Sequence, residues 1–222
     1  MKGAVFGFPE VPGLFRDVVN AHLAPRALPR HIALMLIETE TTPNPSTIKF
    51  LPGEAVMATG TRDFATPEEA EASPLAAAIF STGDVEGVFF GHDFISVTAA
   101  PGVHWHALKP QVLGILLDHF SARAPLFTDS GLFAPAEDID YGDDPADADI
   151  VDQIKDLIET RVRPAVANDG GDIVYRGFRG GTVFLALHGA CQGCPSSTMT
   201  LKNGIEGLLK HYVPEVVSVE AI

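Results

Sequence analysis

Along this 222-residue chain the hydrophobic positions switch between the two-residue period of strands and the three-to-four-residue period of helices, starting at residue 36. Segments 36–42 and 46–52 predict two strands on either side of Thr42-Pro43-Asn44-Pro45, because each proline holds the residue before it in an extended conformation. Ser73 followed by Pro74 reads as an N-cap and first-turn pair, opening a helix that runs to Phe80. Segments 85–91 and 94–99 predict a hairpin through Gly91-His92-Asp93. Leu108, Val112, Ile115, Leu116 and Phe120 then share one face of a helix predicted over 107–122.

The second half is shorter and more regular. Ile150, Ile154, Leu157, Ile158 and Val162 recur at helical spacing, and that helix should end at the break before Pro164 or soon after it. Asp169-Gly170-Gly171-Asp172 predicts a turn. Segments 173–178 and 182–187 predict a hairpin meeting at Arg179-Gly180-Gly181, with Val183, Leu185 and Leu187 on one face. Leu201, Ile205, Leu208, Leu209 and Tyr212 align on a further helix, and 216–221 predicts a closing strand after Pro214. This order of elements makes the fold class α+β, as two small mixed α/β domains.

Charge sets the divisions. The formal net charge is −14, and eight acidic residues with no basic one fall within 128–149. Self-repulsion and the lack of an apolar period should keep that segment extended, as an acidic flexible linker between independently folded domains at 35–127 and 150–222. Residues 1–34 carry prolines at 9, 12, 25 and 29 and no uninterrupted apolar core, so they are expected to be a poorly ordered leader or start-site extension, with Met35 an alternative start. The acidic balance opposes binding to nucleic acid or to an anionic membrane surface. No apolar run approaches the roughly 18 residues of a membrane span.

Two cysteines cannot build a disulfide framework, and their Cys191-Gln-Gly-Cys194 spacing suits metal binding or redox exchange in a reducing compartment. Pro195 and Ser196 open a helix directly after the pair, so the dipole and free amides there should lower the thiol pKa values. A thioredoxin-like redox pair is expected near a βαβ pattern, whereas this one follows a hairpin. Metal binding leaves a shortfall, because zinc and iron–sulfur clusters usually take four protein ligands; a two-fold dimer would supply the other two thiolates. His104 and His106, with His92 and His119, read as ordinary packing, and Asp169 and Asp172 as turn residues. No phosphate-binding loop, esterase elbow or zinc-protease motif occurs.

Asn168-Asp169-Gly170-Gly171-Asp172 and Gly189-Ala190-Cys191-Gln192-Gly193-Cys194-Pro195-Ser196-Ser197 resemble the C-terminal domain of the NifU family. Thr41-Thr42-Pro43-Asn44-Pro45 and Lys49-Phe50-Leu51-Pro52-Gly53 resemble the amino-terminal domain of the NFU-type iron–sulfur scaffold proteins. The resemblance implies a non-catalytic carrier of a [4Fe–4S] cluster shared between two chains, with Cys191 and Cys194 as ligands. It implies a homodimer when cluster-bound, upstream cluster-assembly machinery as donor and apo iron–sulfur client proteins as acceptors. The setting would be a bacterial cytoplasm, or the mitochondrial matrix in a eukaryote. A thiol–disulfide oxidoreductase and a zinc-linked structural dimer are the alternatives.

Overall fold

The computed structural model describes residues 36–128, 141–192 and 195–222, with the backbone alone at 195–197. The expected leader at 1–34 and residues 129–140 of the acidic segment lie outside the described residues. The first domain is a five-stranded antiparallel sheet in the order β1-β2-β5-β4-β3, built from β1 (Glu38–Thr41), β2 (Thr47–Leu51), β3 (Arg62–Phe64), β4 (Val85–Phe90) and β5 (Ile95–Ala99). Helices α1 (Pro67–Ala70), α2 (Pro74–Phe80) and α3 (Trp105–Ala122) complete it. Ser73 caps α2 as expected, its hydroxyl accepting from the Ala76 N–H at 3.3 Å.

Strand alternation gives this sheet two unlike faces. Ile48, Phe50, Phe64, Val88, Phe90, Ile95 and Val97 pack with Leu75, Ile79, Leu108, Val112 and Leu116 of the helices into the core. The intervening residues form a row across the other face: Lys49 pairs with Ser96, Ser96 with Phe89 and Phe89 with Asp63. Lys49, Ser96 and Phe89 are buried although no helix of their own domain covers them. The cover is the second domain.

That domain is a four-stranded sheet in the order β6-β7-β8-β9, from β6 (Gly142–Asp143), β7 (Gly171–Arg179), β8 (Thr182–Gly189) and β9 (Ser218–Ala221). β7 and β8 are the expected hairpin; Gly180 and Gly181 both take positive φ, at 57° and 81°, as a two-residue type I′ loop requires. β9 lies parallel to β8 and is reached through helix α6 (Pro195–Tyr212), so β8-α6-β9 is a βαβ unit. Both sheets end in short strands: β1 and β9 have four residues, β3 three and β6 two.

Two segments take forms that periodicity alone does not show. The helix passes Pro164 and ends soon after it, at Asn168. Helix α4 (Ala148–Leu157) continues through a π-helical turn at Ile158–Val162 into α5 (Arg163–Asn168), and the Arg163 N–H donates to Ile158 five residues back. The wider turn makes room for a residue that clashes with a regular α turn and has no N–H to lose. The acidic segment is also structured at its end. Tyr141 stacks on Phe184 at 4.6 Å, β6 pairs in parallel with β7, and Asp143 accepts from Tyr175 Oη at 2.5 Å and from the Phe178 N–H at 3.0 Å. Hydrogen bonds there offset the charge that was expected to keep the chain extended.

Candidate metal centre

The β7–β8 register places both sequence motifs at one end of the hairpin. Gly171 pairs with Gly189, so the Asp169–Gly170 turn and the loop carrying Cys191 emerge side by side. The Ala190 N–H donates to Gly170 O at 3.1 Å, and Thr198 Oγ1 donates to Cys191 O at 3.0 Å, tying the loop to the first turn of α6. Gly171 has no room for a side chain: a Cβ there would stand 2.6 Å from both Cys191 Sγ and His188 O. Gly189 holds φ at +64°, and its Cβ would meet Gly170 O at 2.8 Å and the Phe89 ring at 2.9 Å. Gly171→Ala is therefore expected to destabilise the chain by about 1–3 kcal/mol through overpacking against a backbone carbonyl, measurable as a lower denaturant midpoint.

Cys191 is 6% exposed and belongs to the core of the second domain with Ile173, Leu187 and Ile205. Its thiol corrects the expected lowering of pKa. Burial pushes it up to about 12, reinforced by the carboxylates of Asp169 and Asp172. The helix-start argument assumed solvated sulfur, whereas here the cost of charging a buried atom dominates. Cys194 lies outside the described residues. Among the described residues no group of three or more His, Cys, Asp and Glu side chains is placed to hold a metal ion. Cys191 alone thus supplies one soft sulfur donor, which suits a cluster's ligand set without completing it.

Asp172 is a strand residue in β7, not part of the turn, and it is the best-partnered carboxylate near the site. It accepts from Arg163 Nε at 2.9 Å and Nη2 at 2.8 Å, from Thr61 Oγ1 at 2.7 Å and from the Ile173 N–H at 2.7 Å. No sequence signal linked Thr61, Arg163 and Asp172, because the contacts are tertiary. Asp169 stays in the turn and is exposed. The rings of His104 and His106 meet at 5.7 Å rather than facing opposite sides, but both are exposed and neither packs in the core. His92 Nδ1 lies 2.9 Å from Met57 O, and His119 is packed edge-on against Phe120. No helix among the described residues is long and apolar enough to cross a membrane.

A family profile described as "NifU-like domain" matches residues 154–220, and one described as "Scaffold protein Nfu/NifU N terminal" matches residues 37–123. The chain is 43% identical over 199 residues to the human "NFU1 iron-sulfur cluster scaffold homolog, mitochondrial", covering 89% of this chain and 76% of that protein. It belongs to the NifU-like/Nfu scaffold family. Other members of that family are as similar: "NifU-like protein 4, mitochondrial" of Arabidopsis thaliana is 50% identical over 188 residues, and "NifU-like protein 5, mitochondrial" of the same plant is 49% identical over 188. Both matches cover 84% of this chain, which spans 65% and 67% of the two plant proteins' lengths. A solution structure of a NifU-like protein from Saccharomyces cerevisiae matches 43% of this chain and 86% of its own, with 25% identity and a TM-score of 0.39. The two Nfu profiles fall on the segments that carried the resemblance in the sequence.

Proposed function

We propose that this chain is an iron–sulfur cluster scaffold and carrier that binds a [4Fe–4S] cluster through Cys191 and Cys194 of each of two chains and passes it to apo-proteins. The observation that carries the reading is the Cys-x-x-Cys between β8 and α6, its first sulfur set against the Gly170–Gly171 turn, in a family whose relatives are named as iron–sulfur cluster scaffolds. One chain offers two cysteines and a cluster takes about four thiolates, so one cluster serves two chains. The donor would be upstream assembly machinery and the acceptors apo iron–sulfur proteins. The reading divides the chain into a leader (1–34), an amino-terminal domain (35–127), an acidic linker (128–149) whose last residues join the second sheet as β6 and start α4, and the cluster domain (150–222). A mitochondrial matrix would agree with the relatives' names, and a bacterial cytoplasm offers the same reducing chemistry.

One observation favours the thiol–disulfide alternative: the cysteines open a βαβ unit after all. Against it, the relatives are named as iron–sulfur cluster scaffolds, and a buried thiol would have to be uncovered for either chemistry. Anaerobic reconstitution with iron and sulfide separates the readings, zinc-linked dimer included. A scaffold should turn brown, take up about two iron atoms per chain, dimerise, and bleach when a chelator or an apo-acceptor is added. A colourless chain under those conditions would rule the scaffold out.

A further inference from the structure

A groove of about 590 Å³ runs along the second domain, between α6 and the helix that continues from α4 into α5. Both walls are helical rows at i, i+4 spacing, with Val162 and Val166 on one side and Leu201 and Ile205 on the other. Val162, Val166 and Ile205 are buried and form the floor, while Leu201 and Leu208 are half-buried and stand along the side. The groove stays open because small residues lie between these rows. Ala165 and Gly204 both line it, and a Cβ added at Gly204 would meet nothing within 4 Å. Gly204 sits in the interior of an 18-residue helix, where alanine is the better helix former, and the fold gives no steric reason for it.

The two ends of the groove carry opposite charge. Arg161 stands at one, within the π-helical turn Ile158–Val162, and Asp169 at the other, roughly 12 Å on at the helical rise. Turns of this wide kind often mark functional sites, and this one places both Arg161 and Val162 in the lining. Arg161 is held there by Tyr212: Nη1 donates to Tyr212 Oη at 2.9 Å, and the guanidinium carbon lies 4.8 Å from the ring centroid. That bond uses one of the five N–H donors of a guanidinium, so the fork is oriented in advance for a carboxylate or a phosphate. Asp169 repels the same head group and so sets its direction. The net charge of −14 opposes a bare anion, which means that an anionic ligand must also gain from the apolar floor. A mostly apolar lining with a few polar groups, in a space between about 300 and 1,000 Å³, is the make-up of a small-molecule site.

We propose that this groove binds a small anionic amphiphile, a fatty-acid-like molecule whose carboxylate or phosphate head meets Arg161 and whose alkyl chain lies between Val162 and Val166 on one side and Leu201 and Leu208 on the other, running toward Pro43. The proposal goes beyond the scaffold reading and does not rest on it. It accounts for Gly204, whose missing side chain leaves the width that the alkyl chain takes, and for an arginine fixed on an aromatic ring at the edge of an apolar trough.

The test uses the full chain without added iron, and decanoate below its micelle concentration as the probe. Wild-type protein should bind it saturably at one site, with the largest amide NMR shifts at Leu201, Gly204 and Leu208. Arg161→Gln should weaken decanoate by about tenfold and leave the weaker binding of decanol, which has the same chain and a neutral head, unchanged. Gly204→Leu fills the trough with a better helix former and should abolish binding of both, with circular dichroism confirming the fold. No saturable binding, or binding that survives Gly204→Leu in a folded chain, overturns the proposal. So does decanol that binds wild type as tightly as decanoate, or decylamine that binds more tightly, which would give the head to Asp169. Sedimentation covers the remaining occupant: a wild-type dimer that Gly204→Leu turns into a monomer would assign the groove to a second copy and overturn the proposal as well. Should Gly204→Leu not fold, the Arg161→Gln comparison decides alone, and an unchanged decanoate affinity there is the overturning result.

Discussion

Cys191→Ala is expected to give a folded, colourless chain that takes up no cluster and stays monomeric when iron and sulfide are added. The fold should survive because the change removes a single sulfur from the second domain's core, at about 1 kcal/mol. Cluster binding should not, because each two-chain assembly loses two of its roughly four thiolates, and among the described residues no group of three or more His, Cys, Asp and Glu side chains stands ready to replace them. Cys194→Ala should behave the same way. Visible absorbance, iron content and size-exclusion volume report the three losses together. A disulfide exchanger would behave differently, with one single-cysteine variant trapping mixed disulfides and no change in assembly state. A Cys191→Ala chain that stays coloured and dimeric would refute the four-thiolate site.

Asp172→Ala should cost about 2–4 kcal/mol, the largest effect expected outside the cysteines. Its side chain is 5% exposed, and its removal strips the two-pronged pair from Arg163 and the acceptor from Thr61. The cost stays below that of a wholly buried pair because Arg163 is 31% exposed and keeps Glu159 at 2.8 Å. The same residue gives the fold a pH dependence. Burial by itself would push the Asp172 carboxyl up, but the hydrogen bonds from Arg163, Thr61 and the Ile173 N–H outweigh it and hold the group below the usual carboxylate range. Its contribution is therefore full above about pH 4, where an unfolded aspartate is already ionised, and is lost as pH falls through the lower folded value. Thermal melts from pH 7 down to the acid limit should show wild type losing its advantage over Asp172→Ala below about pH 4. Parallel curves at all pH values would show that the carboxylate's charge contributes nothing.

Periodic elements were legible in the sequence, and contacts distant along the chain were not. The α3 stripe of Leu108, Val112 and Leu116, the Ser73-Pro74 helix start and the Gly180-Gly181 hairpin are local patterns, and each appears in the structure. β3 and α1 have three and four residues, too few for a period to show. The π turn ahead of Pro164 was not legible, being a rearrangement with no sequence signature beyond the proline itself. The parallel pairing of β9 with β8 was invisible because a strand's alternation does not reveal which neighbour it joins. The environment of the cysteine loop was not legible. Cys191-Gln-Gly-Cys194 offered candidate donors, while the burial that raises the Cys191 pKa depends on Ile173, Leu187 and Ile205 closing around it. Asp172 looked like turn chemistry because its partners, Thr61 and Arg163, lie 111 and nine positions away.

The short border strands bear on aggregation. A sheet that leaves a long edge unpaired can recruit copies of itself by strand addition. Here the outermost strands offer four residues at most, and β1 carries Glu38 and Glu40 along its short length. Backbone hydrogen bonding to another molecule would run out after a few rungs.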